Sequence, residues 1–174
     1  MSTRAEALAA RIELGAKFLA DYAERLSEAE WNTALRPDGR TVGVIVHHVA
    51  SMYPIEVQLA QQVASGAPVE DVTWRVVADM NAVHARENAQ CSKHETIHLL
   101  EYNSRRAAEA VRVFTDSQLD TAAAVSLNAN APLTAQFVLE DHAIRHSWHH
   151  LTKIRAALNK VRPMPRRTAL AGVL

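Results

Sequence analysis

The 174-residue sequence has one cysteine, Cys91, so no disulfide can form within the chain. A lone thiol also fits a reducing compartment. Glycine is scarce, with five residues, and aromatics make up 5%. Strand-like alternation of Val, Ile, Thr and aromatic residues is almost absent, while alanine is abundant, which argues for helices. Neither sign of charge is in excess: nineteen basic and nineteen acidic residues cancel. The balance gives no basic face for nucleic acid and no acidic tail for a basic partner. No run of about 18 apolar residues is present, so no membrane span is expected. Arg4, Glu6, Arg11 and Glu13 interrupt the first apolar segment, which does not read as a signal peptide. The expected setting is the cytoplasm and the expected partner a small-molecule substrate, with neither nucleic acid nor membrane.

The length fits one domain. Periodicity predicts helices over residues 3–27, from Thr41 to about Ala64, from Val72 to about Ala89, from Ser92 through Phe114, and from Pro132 to about Lys160. Ser92 with Glu95 has capping-box spacing. Pro54 lies inside the second helix, where it is expected to kink it or leave one carbonyl unpaired. Ala122–Ala131 reads as an irregular connection. Four long helices and one shorter one predict an all-α helix bundle over residues 1–161. Residues 162–174 form a basic, proline-containing tail, expected to be an arm or disordered.

Histidine is the notable surplus. There are nine, and His142, His146, His149 and His150 fall within nine residues. About 100° of rotation per residue places His48 in the stripe Ile45, Met52, Ile55 and Leu59, with His47 to the side beside Ser51 and Gln58. On the last helix His142, His146 and His150 follow at i, i+4 steps, with His149 at the edge of that face. An i, i+4 pair stacks two imidazoles closely enough to share a metal, and a histidine from a facing helix completes three ligands with a position left open. On periodicity alone a second reading stands, in which His48 is a hydrogen-bonded core residue and the later cluster is a solvated patch. His94 and His98 oppose their helix's apolar stripe and read as surface. His84 shares a face with Val77 and Met80 and reads as a pocket wall or as a donor behind the ligands. The last helix has a second apolar side, Leu133, Phe137, Ile144, Trp148, Leu151 and Leu158, which a neighbouring element or a dimer partner is expected to cover.

Two segments carry a family resemblance. Thr41-Val42-Gly43-Val44-Ile45-Val46-His47-His48-Val49-Ala50 resembles the second-helix motif of the DinB-like (YfiT-like) metalloenzymes. His142-Ala143-Ile144-Arg145-His146-Ser147-Trp148-His149-His150 is similar to that family's last-helix motif. The likeness runs from residue 3 to 160. It implies a four-helix bundle in up-down-down-up order, often dimeric, with a three-histidine site for zinc, nickel, iron or manganese. Position by position, those ligands fall on His48, His146 and His150. The chain departs from many members in having Leu151-Thr152-Lys153 where they carry Gly-Gln, and no appended second domain is expected.

Characterised relatives include S-transferases that use bacillithiol or mycothiol. The first functional expectation is therefore a metal-dependent transferase that conjugates a low-molecular-weight thiol to a small electrophile. In it His149 or His84 moves protons, and Arg145 or Arg75 meets a carboxylate on the thiol. The alternatives are a metal-dependent hydrolase, a non-catalytic metal-binding stress protein, and a binding bundle whose histidines line an apolar pocket.

Overall fold

A computed structural model describes residues 2–37 and 39–161. Helix α1 (Thr3–Glu24) starts where the Ser2 hydroxyl accepts the Ala5 N–H, and it buries Leu8, Ile12, Leu19 and Ala23. A one-turn helix α2 (Glu28–Trp31), closed by a Ser27/Glu30 capping box, carries Trp31 into the core. Thr41 caps α3 (Val42–Ala64), and Thr73 caps α4 (Trp74–Glu87). Ser92 accepts the Glu95 N–H at the start of α5 (Lys93–Arg112). A short α6 (Asp116–Asp120) follows.

The stretch expected to be irregular is instead a small hairpin. β1 (Ala122–Val125) pairs antiparallel with β2 (Ala131–Thr134), and Ala129 and Asn130 turn the chain with positive φ. Pro132 does not start the last helix; it lies in β2 opposite Ala124. A two-stranded ladder has free edges, so a missing N–H is tolerated there. Thr134 caps α7 (Ala135–Val138), which runs through a π-helical stretch (Leu139–Ile144) into α8 (Arg145–Val161).

Specific contacts fix the helix directions. Arg112, at the end of α5, binds Glu6 and Glu13 on α1, so these two helices are antiparallel. Arg4 reaches Gln136 and Arg11 reaches Glu140, so α1 and the C-terminal helix run the same way. His48 lies beside His150 while Glu56 meets His146, which sets α3 against α8. Trp31 packs on Gly43 at the start of α3 and donates from Nε1 to the carbonyl of Cys91 just before α5, so α3 and α5 begin at one end. The order is up-down-down-up.

Three features of α3 and α4 differ from the sequence expectation. Pro54 removes the N–H that would bond the Ala50 carbonyl, yet that carbonyl is partnered: Asn103 Nδ2 donates to it at 2.9 Å. The buried row of α3 is Ile45, His48, Val49, Tyr53, Glu56, Val57 and Ala60, whereas Ile55 is 39% exposed. Burial there follows the neighbours α5 and α8, not hydrophobicity alone. Helix α4 packs on α3 from outside the bundle and buries no residue fully. Its expected apolar stripe is largely outward, with Val76, Met80 and Val83 exposed, and its half-buried row is Val77, Asn81, His84 and Asn88. Of the last helix's second apolar side, Ile144, Leu151 and Leu158 enter this chain's own core, while Phe137 and Trp148 stay exposed. The tail expected over 162–174 lies outside the described residues.

Candidate metal centre

His48 comes from the second turn of α3, and His146 and His150 from the first turns of α8. Each offers one ring nitrogen, and these three atoms lie within 4.8 Å of one another. Nε2 of His146 is 3.1 Å from Nε2 of His48. Imidazole nitrogens this close need a proton or a cation between them. The π-helical stretch ends immediately before this pair. Its wider turn breaks the i, i+4 sequence, so His142 is not brought into the cluster, although spacing alone placed it on the same stripe.

Two buried polar groups behind the triad fit a cation. Glu56, 3% exposed, sits with Oε1 at 2.7 Å from Nδ1 of His146. A carboxylate there takes the Nδ1 proton as a hydrogen bond, which turns the lone pair of Nε2 toward His48. It also places a negative charge in the interior, where a cation reached through His146 compensates it. Nδ1 of His150 is buried with no hydrogen-bond partner among the described residues. Burial, and then the neighbouring His146, His48, His149 and Arg40, push the His150 imidazole down to about 2, so it is neutral and available as a ligand. Three imidazole ligands suit several late first-row divalent ions.

The surrounding shell is only partly as expected. His84, on α4, stands with its ring centroid 5.6 Å from that of His48. Its Nε2 is 2.9 Å from Nδ1 of His47 and 3.2 Å from Oγ of Ser51. Burial lowers the pKa of both His47 and His84. His149 is exposed, 5.2 Å from the His150 ring, and its pKa is lowered by partial burial and by Lys153 and Arg145.

Arg145 and Arg75 each lie beside a carboxylate of their own helical segment, and the charge of Arg145 reaches His149. Arg145 is held by Asp141 at 2.9 Å, and Arg75 lies exposed near Asp79 on α4. Arg40, just before the Thr41 cap, is instead the cation whose charge reaches both His84 and His150. His94 and His98 line a surface concavity with Glu24 and Glu101, as expected for a surface pair. Cys91 is also apart from the triad, and burial raises its thiol pKa.

Glu56, Arg40 and the Tyr53–Ser147 hydrogen bond were not read from the sequence. That bond, 2.6 Å and buried, ties α3 to α8 between the ligands. Its trace in sequence is slight: Tyr53 and Glu56 lie five and eight residues after His48, on the same broad side of one helix.

No protein-family model matches the sequence, and no curated protein matches it. Among solved structures, the chain is similar to YfiT from Bacillus subtilis, a probable metal-dependent hydrolase with an unusual four-helix bundle topology. The two superpose with a TM-score of 0.73 over 92% of this chain and 90% of that one, at 17% sequence identity. With its helix order and three-histidine cluster, the chain has the YfiT-type four-helix bundle fold.

Proposed function

We propose that this protein is a divalent-metal-dependent enzyme acting on a small molecule, with His48, His146 and His150 as the metal ligands. The observation that carries the reading is the convergence of three ring nitrogens within 4.8 Å, one of them oriented by the buried Glu56. Three protein ligands leave coordination positions for exchangeable groups, as catalytic sites do. A divalent ion held there supplies Lewis acidity, which lowers the pKa of a bound protic nucleophile toward neutrality.

The chain's own residues supply the rest. Glu56 fixes the ring of His146, and burial keeps His150 neutral. His84 and His149 border the triad and are the groups placed to exchange protons with substrate. Arg40 offers positive charge on the same side, and Arg145 and Arg75 are additional cations for a carboxylate-bearing cofactor. The nucleophile comes from outside the chain, since Cys91 is not at the site.

Two nucleophiles suit this centre. Water makes the protein a hydrolase, and the similarity to YfiT supports that reading. A low-molecular-weight thiol makes it an S-transferase, and the resemblance of the two histidine segments to the thiol-dependent relatives supports that one. A homodimer through the exposed Phe18 and Trp148, whose rings lie 5.2 Å apart, is part of the proposal.

The test begins with elemental analysis of untagged protein. We expect about one equivalent of metal, lost in His48→Ala and His146→Ala. Thiol conjugation and ester or amide hydrolysis are then assayed side by side on the loaded protein. Absence of metal after reconstitution would overturn the proposal.

A further inference from the structure

The histidine pair beside the triad has a hydrogen-bonding pattern that fixes its protons. The Ser51 hydroxyl lies 2.9 Å from the carbonyl of His47 and 3.1 Å from that of His48. A carbonyl can only accept, so the one hydroxyl proton of Ser51 is committed to the backbone. Toward Nε2 of His84, 3.2 Å away, Ser51 can therefore only accept. Nε2 of His84 must carry a hydrogen, and it shares that hydrogen with Nδ1 of His47 at 2.9 Å. Nδ1 of His47 is then an acceptor. In the neutral His84 ring the other nitrogen, Nδ1, is left as a bare lone pair. That atom is buried and has no hydrogen-bond partner among the described residues. A buried acceptor without a donor is costly, so the site is built to receive one.

We infer that His47 and Ser51 are positioning residues that hold His84 in the Nε2–H tautomer, so that its Nδ1 accepts a hydrogen bond from a protic ligand at the metal centre. The ligand class is one that brings an O–H, S–H or N–H donor to the open side of the triad. The inference rests on the proposed metal centre for what His84 faces, but not for its tautomer. Helix α4 supports the role. It has no fully buried residue to fix it, and its half-buried row is Val77, Asn81 and His84, followed by Asn88 at the C-cap. The contacts of His84 with His47 and Ser51 tie α4 to α3.

Histidine tautomers can be read directly from nitrogen-15 resonances of histidine-labelled protein, with the His84 signals assigned by their loss in His84→Gln. In metal-free protein we expect a protonated Nε2 and a bare Nδ1 for His84, and a bare Nδ1 for His47. Ser51→Ala should convert His84 to a mixture of tautomers, because Nδ1 of His47 alone can donate or accept, and Ser51→Thr, which keeps the hydroxyl, should restore one. With zinc alone as the probe, the Nδ1 resonance of His84 should move toward that of a hydrogen-bonded acceptor. A protonated Nδ1 in the wild type would overturn the inference without needing any variant. An unchanged Nδ1 resonance in protein shown to contain zinc would overturn the ligand contact. Failure of zinc to bind at all would instead count against the metal centre and would leave the tautomer result standing.

Discussion

The carboxylate of Glu56 lies 2.7 Å from Nδ1 of His146, while the opposite nitrogen of the same ring lies 3.1 Å from His48. One imidazole thus joins a buried acid on its far side to a shared centre on its near side. A carboxylate in this position holds the tautomer and raises the basicity of the ring.

Replacing that acid should weaken metal binding without removing a ligand. We expect Glu56→Gln to lower zinc affinity about 10- to 100-fold, measured by competition with a chromophoric chelator. The stoichiometry at saturation should stay at one. An unchanged affinity would mean that the Glu56–His146 contact is purely structural.

Chelation should empty the site without unfolding the bundle. The core is a continuous set of buried apolar side chains from Leu8 and Ile12 to Leu151 and Ile154, and none of these depends on an ion. We expect EDTA to lower the Tm while helical circular dichroism at 25 °C is retained. Loss of helicity on chelation would mark a structural site and favour the stress-protein alternative.

The metal-free protein should lose stability in acid. His150 is pushed down to about 2 in the folded chain but titrates near 6.5 when unfolded. Between those values the unfolded chain binds a proton that the folded chain does not. Stability therefore falls as pH drops below about 6.5, by up to about 1.4 kcal/mol per pH unit for one such group. His47 and His84, both lowered by burial, act in the same direction. The Tm should be lower at pH 5 than at pH 7, and His150→Ala should reduce the slope. A Tm independent of pH over this range would contradict the burial of neutral histidine.

The Asn103–Ala50 bond offers a test of how α3 tolerates Pro54. Asn103→Ala should cost about 1–3 kcal/mol, because it leaves a carbonyl without its donor. In a Pro54→Ala background the helix supplies its own N–H, so the same change should cost less. Chemical denaturation of the four proteins gives the coupling, and additive costs would refute it.

Gly43 is required by a close approach. A Cβ there would sit 2.5 Å from the indole of Trp31. Gly43→Ala should destabilise the protein by about 1–3 kcal/mol through overpacking, read as a shift in the denaturation midpoint.

The histidine triad was legible in the sequence because a helix repeats on a fixed period and imidazoles on an inner face stand out against apolar neighbours. His146 and His150 share a regular helix, so their spacing translated directly into proximity. His142 did not, because the π-helical stretch shifts the register by a step that no residue type announces. Glu56 escaped notice because a glutamate in a helix is ordinarily exposed, and only the partner helix reveals that its carboxylate is buried. The hairpin was hidden for a similar reason. Its first strand reads Ala-Ala-Ala-Val, and alanine favours helix until tertiary pairing overrides it. Helix α4 was found in place, but its apolar residues turned outward, since periodicity defines faces without saying which one meets the bundle.

The two halves of the centre are separated by 98 residues of chain, yet their nitrogens end 3.1 Å apart. The chain between them must be made and folded back before α8 can close on α3. During synthesis His48 is made early and spends the interval without its companions, so the three-histidine set is complete only once α8 has been made. Metallation is then a property of the finished molecule, and any truncation that removes α8 should abolish it while leaving α1, α3 and α5 able to form helices.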